Sequence, residues 1–487
     1  MKVESSINGI KLVEYSKYLH EYADNFGLYS FIRFEHEVDR IERIPGQRQQ
    51  WRLKVKRVNG DADWHEEVFD RIAICSGTHQ VRSMPNFAGV KSFKGQIKHM
   101  QDVKRFDEFK DKRVCVVGGG EAASDMALAA SKHGKRAFIS IRRDHGYLVS
   151  RYQYGPGQPS DLQTTRVRNS IPSVFGFIQI VIRMIFEKVL LMFGSKSDRS
   201  LNIERQIFAM NAKQYRRSHF RNTYGTKNGG MAEAILYYGC EMKPAIRSLE
   251  ENSIIFEDGT KEVVDEIVCC TGFENRFSFL DCIDNNPVLQ QVGHDARISH
   301  NLYKHAIHPL TRDSLVFIGF VRPCFGAIPP LAEMQARWFA LLCSGKIDLP
   351  DTSTMDKYIR TYVRYIENFL TPYRVNRITN LTDFLSFSDD MAWAIGCRPN
   401  LDFKMLLRDP YLWLRCMVGP ICNAQYRLCG PHAQPAQARR ILLTLKWKPL
   451  WYNICEFIML YTSALVWYCG LKSWLPHTWA PIHERHI

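Results

Sequence analysis

Four β-prone residues, Val114-Cys115-Val116-Val117, run straight into Gly118-Gly119-Gly120-Glu121-Ala122-Ala123, and a helix-like stretch follows through Ser131. Strand, tight glycine turn, helix is an order that few folds accommodate. The first glycine of Gly-x-Gly-x-x-Ala permits the turn, and the second lets a pyrophosphate come close to the backbone. The small third residue lets helix pack on strand. The helix N-terminus then offers unpaired N–H groups and its positive dipole end to an anion. The pattern predicts a Rossmann-like α/β unit with a parallel sheet, in which Gly118, Gly120 and Ala123 lie against a dinucleotide.

The next strand selects the dinucleotide. Arg136–Ile141 reads as the second strand, and Arg142 and Arg143 stand at its end, 24 and 25 residues after Gly118. An acidic residue there would hold a ribose 2′-hydroxyl; arginine accommodates a 2′-phosphate and favours NADP. The competing reading is an ordinary exposed pair of arginines. Asp144 falls one step later, in the loop.

Upstream of the glycine turn stands Phe93-Lys94-Gly95-Gln96-Ile97-Lys98-His99. With the turn, it makes the chain resemble the flavin-containing monooxygenases. Their fingerprint is Phe-x-Gly-x-x-x-His-x-x-x-(Tyr/Phe), placed just before the NADPH-binding glycines. Phe93, Gly95 and His99 match, while Val103 stands where the final aromatic belongs. Further matches follow in the family's order: Tyr18-Leu19, Tyr22-Ala23 and Phe26-Gly27-Leu28 lie near the start. Cys75-Ser76-Gly77 and Cys270-Thr271-Gly272-Phe273 stand at its two Ala-Thr-Gly-like turns. Thr226-Lys227-Asn228, Gln335-Ala336-Arg337-Trp338, Gly419-Pro420 and Gln425-Tyr426-Arg427-Leu428 complete the series.

The resemblance implies an α/β flavoprotein with two dinucleotide-binding domains, Rossmann-like with parallel sheets, and a hydrophobic C-terminal tail. Its cofactors would be FAD and NADP. Its reaction would use NADPH and O₂ to oxygenate soft nucleophiles, amine nitrogen or sulfide sulfur, through a flavin C4a-hydroperoxide. Gly77, Thr271, Gly272 and Gln335 would be what remains of the FAD site. Phe93, Gly95 and His99 would form the linker between the nucleotide domains. The cofactor carries this chemistry, and no catalytic side chain is assigned.

Two departures stand out. The family has Asn then Ser after its second NADPH-binding glycine, where this chain has Glu121 and Ala122. Residues 1–60 carry no Gly-x-Gly-x-x-Gly, so the expectation is that the first βαβ unit of the FAD domain is missing. The alternative reading is therefore a truncated, membrane-bound pseudoenzyme that binds NADP but little FAD. A dithiol-type flavin reductase would need Cys-x-x-Cys, which the chain lacks.

The expected organisation is 1–91, remainder of the FAD domain; 92–255, NADP domain with an insertion at 145–225; 256–400, return to the FAD domain; and 401–487, the C-terminal region. Helix is expected over Leu12–Phe26, and strands over Tyr29–Phe34, Trp51–Lys56 and Arg71–Cys75. Ile254–Phe256 and Asp265–Cys270 read as two strands around an Asp258-Gly259 turn.

The formal charge of +15 raises nucleic acid as a partner, but the basic residues are dispersed and no nucleic-acid motif accompanies them. Fourteen cysteines without clustered spacing fit free thiols in a reducing compartment rather than disulfides, and no metal site is expected. The first thirty residues mix charges and lack the apolar core of a signal peptide. Phe457–Leu471 is uncharged and flanked by Lys446, Trp447, Lys448 and Trp451 on one side and by Lys472, Trp474 and Trp479 on the other. Interfaces select such flanks. Fifteen residues give only about 22 Å of helix against roughly 30 Å of hydrocarbon. A membrane-associating segment over 454–475 is expected, and a buried core helix is the competing reading. Val174–Phe193 is amphipathic, with Gln179, Arg183, Glu187 and Lys188 on one face, and Lys213, Arg216, Arg217 and Arg221 follow it. It reads equally as an interfacial helix or as one packed on the core. The expected location is the endoplasmic reticulum membrane, with the catalytic part in the cytoplasm.

Overall fold

The computed structural model describes residues 12–44, 50–58, 64–142, 147–149, 162, 164–170, 192, 197–215, 225–281, 286–323, 326–370, 380–446, 453–454, 457–458 and 461–462. Five parallel strands form the central sheet. They are β1 (Gln96–His99), β2 (Arg113–Val117), β3 (Arg136–Ser140), β4 (Glu241–Lys243) and β5 (Glu266–Cys269), arranged β4-β3-β2-β5-β1. Helices α1 (Glu121–His133) and α2 (Gly230–Tyr238) cover one face.

Strand alternation builds two cores on this sheet. Val114, Val116, Ala137 and Ile139 join Ala123, Met126, Ala127 and Ala130 of α1 and Met231 and Ala234 of α2. Cys115, Phe138, Ile267 and Cys269 face the other way, onto Leu249, Ile254, Phe256 and Val264. That second cover contains a hairpin, Ser253–Phe256 with Lys261–Val263, turning at Asp258-Gly259. Gly259 has φ +80° and Thr260 N–H bonds the Asp258 carboxylate.

Here the structure differs from the sequence reading. Ser253–Phe256 lies between Ile246–Glu250 and Lys261–Val263, while Glu266–Cys269 enters the parallel sheet between β1 and β2. All four β5 residues are buried, as a central parallel strand requires. The sheet of the unit expected to span 92–255 therefore takes in Glu266–Cys269 as well. Tyr29–Phe34 is likewise not a strand. Gly27 at φ +62° opens a 3-10 turn over Leu28–Phe31, and the first strand among the described residues is His36–Arg43. Strand-prone residues need a pleated, half-buried neighbour, and Tyr29, Phe31, Ile32 and Phe34 are exposed instead.

In a second unit, Ile72–Ile74 pairs in parallel with Leu315–Phe317. An antiparallel sheet, His36–Arg43, Trp51–Arg57 and His65–Phe69, adds Ile41 and Trp51 to a core with Phe277, Phe317 and Phe320. A two-stranded antiparallel ribbon, Val81–Arg82 with Phe273–Glu274, runs between the two units. Helices α3 (Ile328–Cys343), α4 (Thr352–Leu370) and α5 (Phe384–Ile395) share a fourth core through Met334, Trp338, Met355, Phe384 and Met391. The C-terminal region adds α6 (Phe403–Arg408), α7 (Pro410–Val418) and α8 (Pro435–Thr444). Asp402 and Asp409 cap α6 and α7 by accepting from Met405 and Leu412 N–H.

Candidate cofactor site

The glycine turn joins β2 to α1, and its geometry explains its composition. Gly118 has φ +137°, and a Cβ there would lie 2.6 Å from the Cys270 carbonyl oxygen. Only glycine meets both demands. Gly118 N–H bonds the Ser140 carbonyl at 3.0 Å, which sets the ends of β2 and β3 side by side. Gly120 is the N-cap of α1 and no side chain caps that helix. Ala123 is fully buried where α1 meets the sheet. An uncapped helix end behind a tight glycine turn is the donor set a pyrophosphate requires, so a dinucleotide fits.

Arg142 lies exposed two residues beyond the end of β3, on the turn's side of the sheet. Arg143 lies outside the described residues, as do all of Val174–Phe193 but Met192 and most of 454–475.

A second segment closes on the turn. Thr226 Oγ1 donates to the Gly119 carbonyl at 3.4 Å, and Lys227 N–H donates to the Glu121 carboxylate at 3.3 Å. The Asn228 amide donates to the Glu121 carbonyl (3.2 Å) and the Asp125 carboxylate (2.7 Å), and its oxygen accepts from Gly230 N–H (2.8 Å). Thr226 and Asn228 are buried. Gly230 packs so tightly on α1 that a Cβ would stand 2.9 Å from the Ser124 carbonyl. Thr226-Lys227-Asn228 is conspicuous in the sequence, but its attachment to the glycine turn is visible only in the fold.

Phe93, Gly95 and His99 occupy the edge of the same sheet. The Phe93 ring packs against the hairpin-side core. A Cβ on Gly95 would meet that ring at 2.5 Å and the Asp265 carbonyl at 2.7 Å. His99, the last residue of β1, is buried; its Nε2 lies 3.1 Å from the Gly272 carbonyl, and its Nδ1 accepts from Gln101 N–H. Its ring meets Phe273 edge-on at 4.8 Å. His99 thus ties the β1–β5 sheet to the ribbon, while Phe93 and Gly95 pack against the hairpin-side core and the Asp265 carbonyl.

Gly272 (φ +88°) and Gly77 (φ +79°) sit in turns after β5 and after Ile72–Ile74, and nothing lies within 4 Å of the Cβ direction of either. Thr271 Oγ1 and Ser83 N–H close the ribbon across Ser83 and Gly272. Open, left-handed glycine turns at the ends of parallel strands leave backbone within a ligand's reach. Gln335 is placed differently. It is fully buried, accepts from Gly319 N–H and donates to the Lys304 and His305 carbonyls, so its amide serves the backbone. It holds the turn after Leu315–Phe317, beside the strand that leads to Gly77. Lys304 (φ +48°) and His305 (φ +57°) are consecutive left-handed residues stabilised by those bonds. Among the described residues no group of three or more His, Cys, Asp or Glu could hold a metal, and no helix is long and apolar enough to cross a membrane.

The fold is that of the two-dinucleotide-binding flavoproteins. Its likeness to solved structures includes cyclohexanone monooxygenase in an open form (TM-score 0.54, 14% identity, 79% of this chain and 82% of that one). It also includes S-allyl-L-cysteine S-oxygenase from Allium sativum (TM-score 0.51, 19% identity, 88% and 76%). A family model described as flavin-binding monooxygenase-like matches residues 5–454. Relatives include a Cavia porcellus dimethylaniline monooxygenase [N-oxide-forming] 2, 31% identical over 90% of this chain and 77% of its own length. A 4-hydroxybenzoate brominase (decarboxylating) of Marinomonas mediterranea is 29% identical over 94% and 83%. The chain belongs to the flavin-binding monooxygenase-like family. It is accordingly an NADPH-dependent flavin monooxygenase whose cofactors are FAD and NADP.

Proposed function

We propose that this chain uses NADPH and O₂ to oxygenate soft nucleophiles, with amine nitrogen and sulfide sulfur as the substrate classes. The observation that carries this reading is the uncapped glycine turn, clasped by Thr226–Asn228, within a chain matched from residue 5 to 454. Gly118, Gly120 and Ala123 hold the NADP pyrophosphate, and Arg142 and Arg143 its 2′-phosphate. Gly77, Thr271 and Gly272 line the flavin side, where Gln335 fixes the neighbouring turn. Reduced by NADPH, the flavin supplies the activation of O₂. The protein orients the two cofactors through β1, His99 and the ribbon, and keeps water from the reacting groups. The brominase relatives favour a second reading, in which halide takes the place of the amine or sulfide. The test is NADPH oxidation by the flavin-loaded protein with a tertiary amine, a thioether or bromide, with product quantified against NADPH consumed. Product from bromide alone selects the second reading; product from none of the three overturns both.

Membrane-surface attachment through the C-terminal region is part of the proposal. Phe457 stacks on Trp413 of α7 at 6.4 Å and Asn453 is buried, while Ile454, Ile458 and Tyr461 face outward. Phe403 and Leu407 of α6 are about 70% exposed, with Lys404 and Arg408 beside them in the helix. An apolar face beside lysine and arginine suits an anionic lipid surface. The endoplasmic reticulum, with the catalytic part on the cytoplasmic side, is the corresponding location. Flotation with vesicles containing phosphatidylserine should carry the wild type and lose a Phe403→Ser/Leu407→Ser/Ile458→Ser variant; equal flotation of the two overturns this assignment.

A further inference from the structure

Glu121 opens α1 at the mouth of the glycine turn, and its carboxylate accepts from Lys227 N–H. The bond keeps this exposed carboxylate over the end of the helix. In the free protein the arrangement is favourable, because an acid in the first turn complements the helix dipole. The anion that this helix end would take as ligand carries the same sign of charge as Glu121.

We propose that Glu121 is an affinity-determining residue for the dinucleotide. It holds a fixed negative charge beside the phosphates and so weakens NADPH binding, while its bond to Lys227 keeps the charge in place. The inference rests on the reading of the glycine turn as the NADP site. Like charges roughly 6 Å apart at a solvent-facing site, where the effective dielectric approaches that of water, cost about a fivefold change in affinity. The effect should fade as salt screens it. Gln at this position retains an oxygen to accept from Lys227 N–H and removes only the charge.

The experiment is NADPH titration of the full chain at 50 and 300 mM salt, for the wild type and for Glu121→Gln, Glu121→Ala and Arg142→Ala, with folding checked by circular dichroism. Glu121→Gln should bind about fivefold more tightly at low salt, and the gain should shrink at high salt. Glu121→Ala should follow it. Equal or weaker binding by Glu121→Gln overturns the proposal. So does Glu121→Ala binding more weakly than wild type, which would make the bond to Lys227, rather than the charge, the residue's contribution. Arg142→Ala separates the two levels: it should weaken NADPH but not NADH. If it leaves NADPH unchanged, the reading of the site itself has failed.

Discussion

Arg166 and Asp389 stand 223 positions apart and meet as a bidentate ion pair, at 2.8 and 2.9 Å, with both side chains buried. Gln425 accepts from the same guanidinium, and the Tyr426 hydroxyl donates to Asp389. Burial opposes both charges, yet each holds the other ionised: Arg166 is raised above and Asp389 lowered below its ordinary range. The pair fastens the short helix Arg166–Ser170 to α5 and to the segment carrying Gln425 and Tyr426.

Removing Asp389 leaves Arg166 a buried charge without its carboxylate, and removing Arg166 leaves Asp389 only the longer, partly exposed ion pair to Arg398 at 3.6 Å. Arg166→Ala and Asp389→Ala should each lower stability by about 3–5 kcal/mol, whereas replacing both by leucine should recover much of the loss. Urea unfolding midpoints check this, and a loss under about 1 kcal/mol for the single variants would contradict it.

Stability should also fall in mild acid. Burial pushes His300 down to about 4, and His305 well below the usual imidazole range. The unfolded chain takes up these protons first, so stability is complete above pH 6.5 and declines as pH falls towards 4. A single proton over that window amounts to roughly 3 kcal/mol. His300→Gln can still donate to the Leu381 carbonyl, which His300 Nε2 now contacts, and should flatten the decline by about that amount. Chemical denaturation at pH 7, 6, 5 and 4.5 would read it; parallel curves for the two proteins would refute it.

Gly118→Ala meets two obstacles at once, a left-handed φ and a carbonyl 2.6 Å from the new Cβ. A cost of about 1–3 kcal/mol in stability is expected, together with at least tenfold weaker NADPH binding as the turn shifts. Thermal melting and fluorescence titration measure the two effects, and wild-type affinity would remove Gly118 from the site.

His99→Leu should uncouple the nucleotide units rather than empty either. The Gly272 carbonyl loses its imidazole partner and keeps Ser83 N–H, a cost of about 0.5–1.5 kcal/mol. Stopped-flow reduction of the flavin by NADPH should slow while NADPH affinity stays near wild type. Unchanged reduction would confine His99 to stability.

Much of the unit built on the β1–β5 sheet was legible because its constraints are local. Val114–Val117, Gly118, Gly120 and Ala123 each carry a backbone or packing requirement that can be stated from neighbours in the chain, and the parallel sheet with α1 stands where they place it. The place of Glu266–Cys269 was not legible, because a buried apolar run carries no label for which strand it will join. Tyr29–Phe34 misled for a related reason: strand propensity expresses itself only where a neighbour exists. Arg166, Asp389 and Gln335 gave no signal of burial, since a charged or amide side chain looks solvent-facing until the fold supplies its partners. The open glycine turns at Gly77 and Gly272 were expected on the flavin side, whereas the amide of Gln335 proves to be engaged with Gly319, Lys304 and His305.

The ribbon between the units has a mechanical meaning. Val81–Arg82 and Phe273–Glu274 run side by side in opposite directions, cross-linked by backbone bonds and by Thr271 to Ser83. A paired strap of this kind resists stretching and shearing far more than bending across its face. The two passages of chain between the β1–β5 sheet and the second unit, after Ile74 and after Cys269, are thereby bound to each other rather than left as separate tethers. Gly272, at φ +88° with nothing in its Cβ direction, lies in one of these passages, where its carbonyl accepts from Ser83 N–H and meets His99 Nε2.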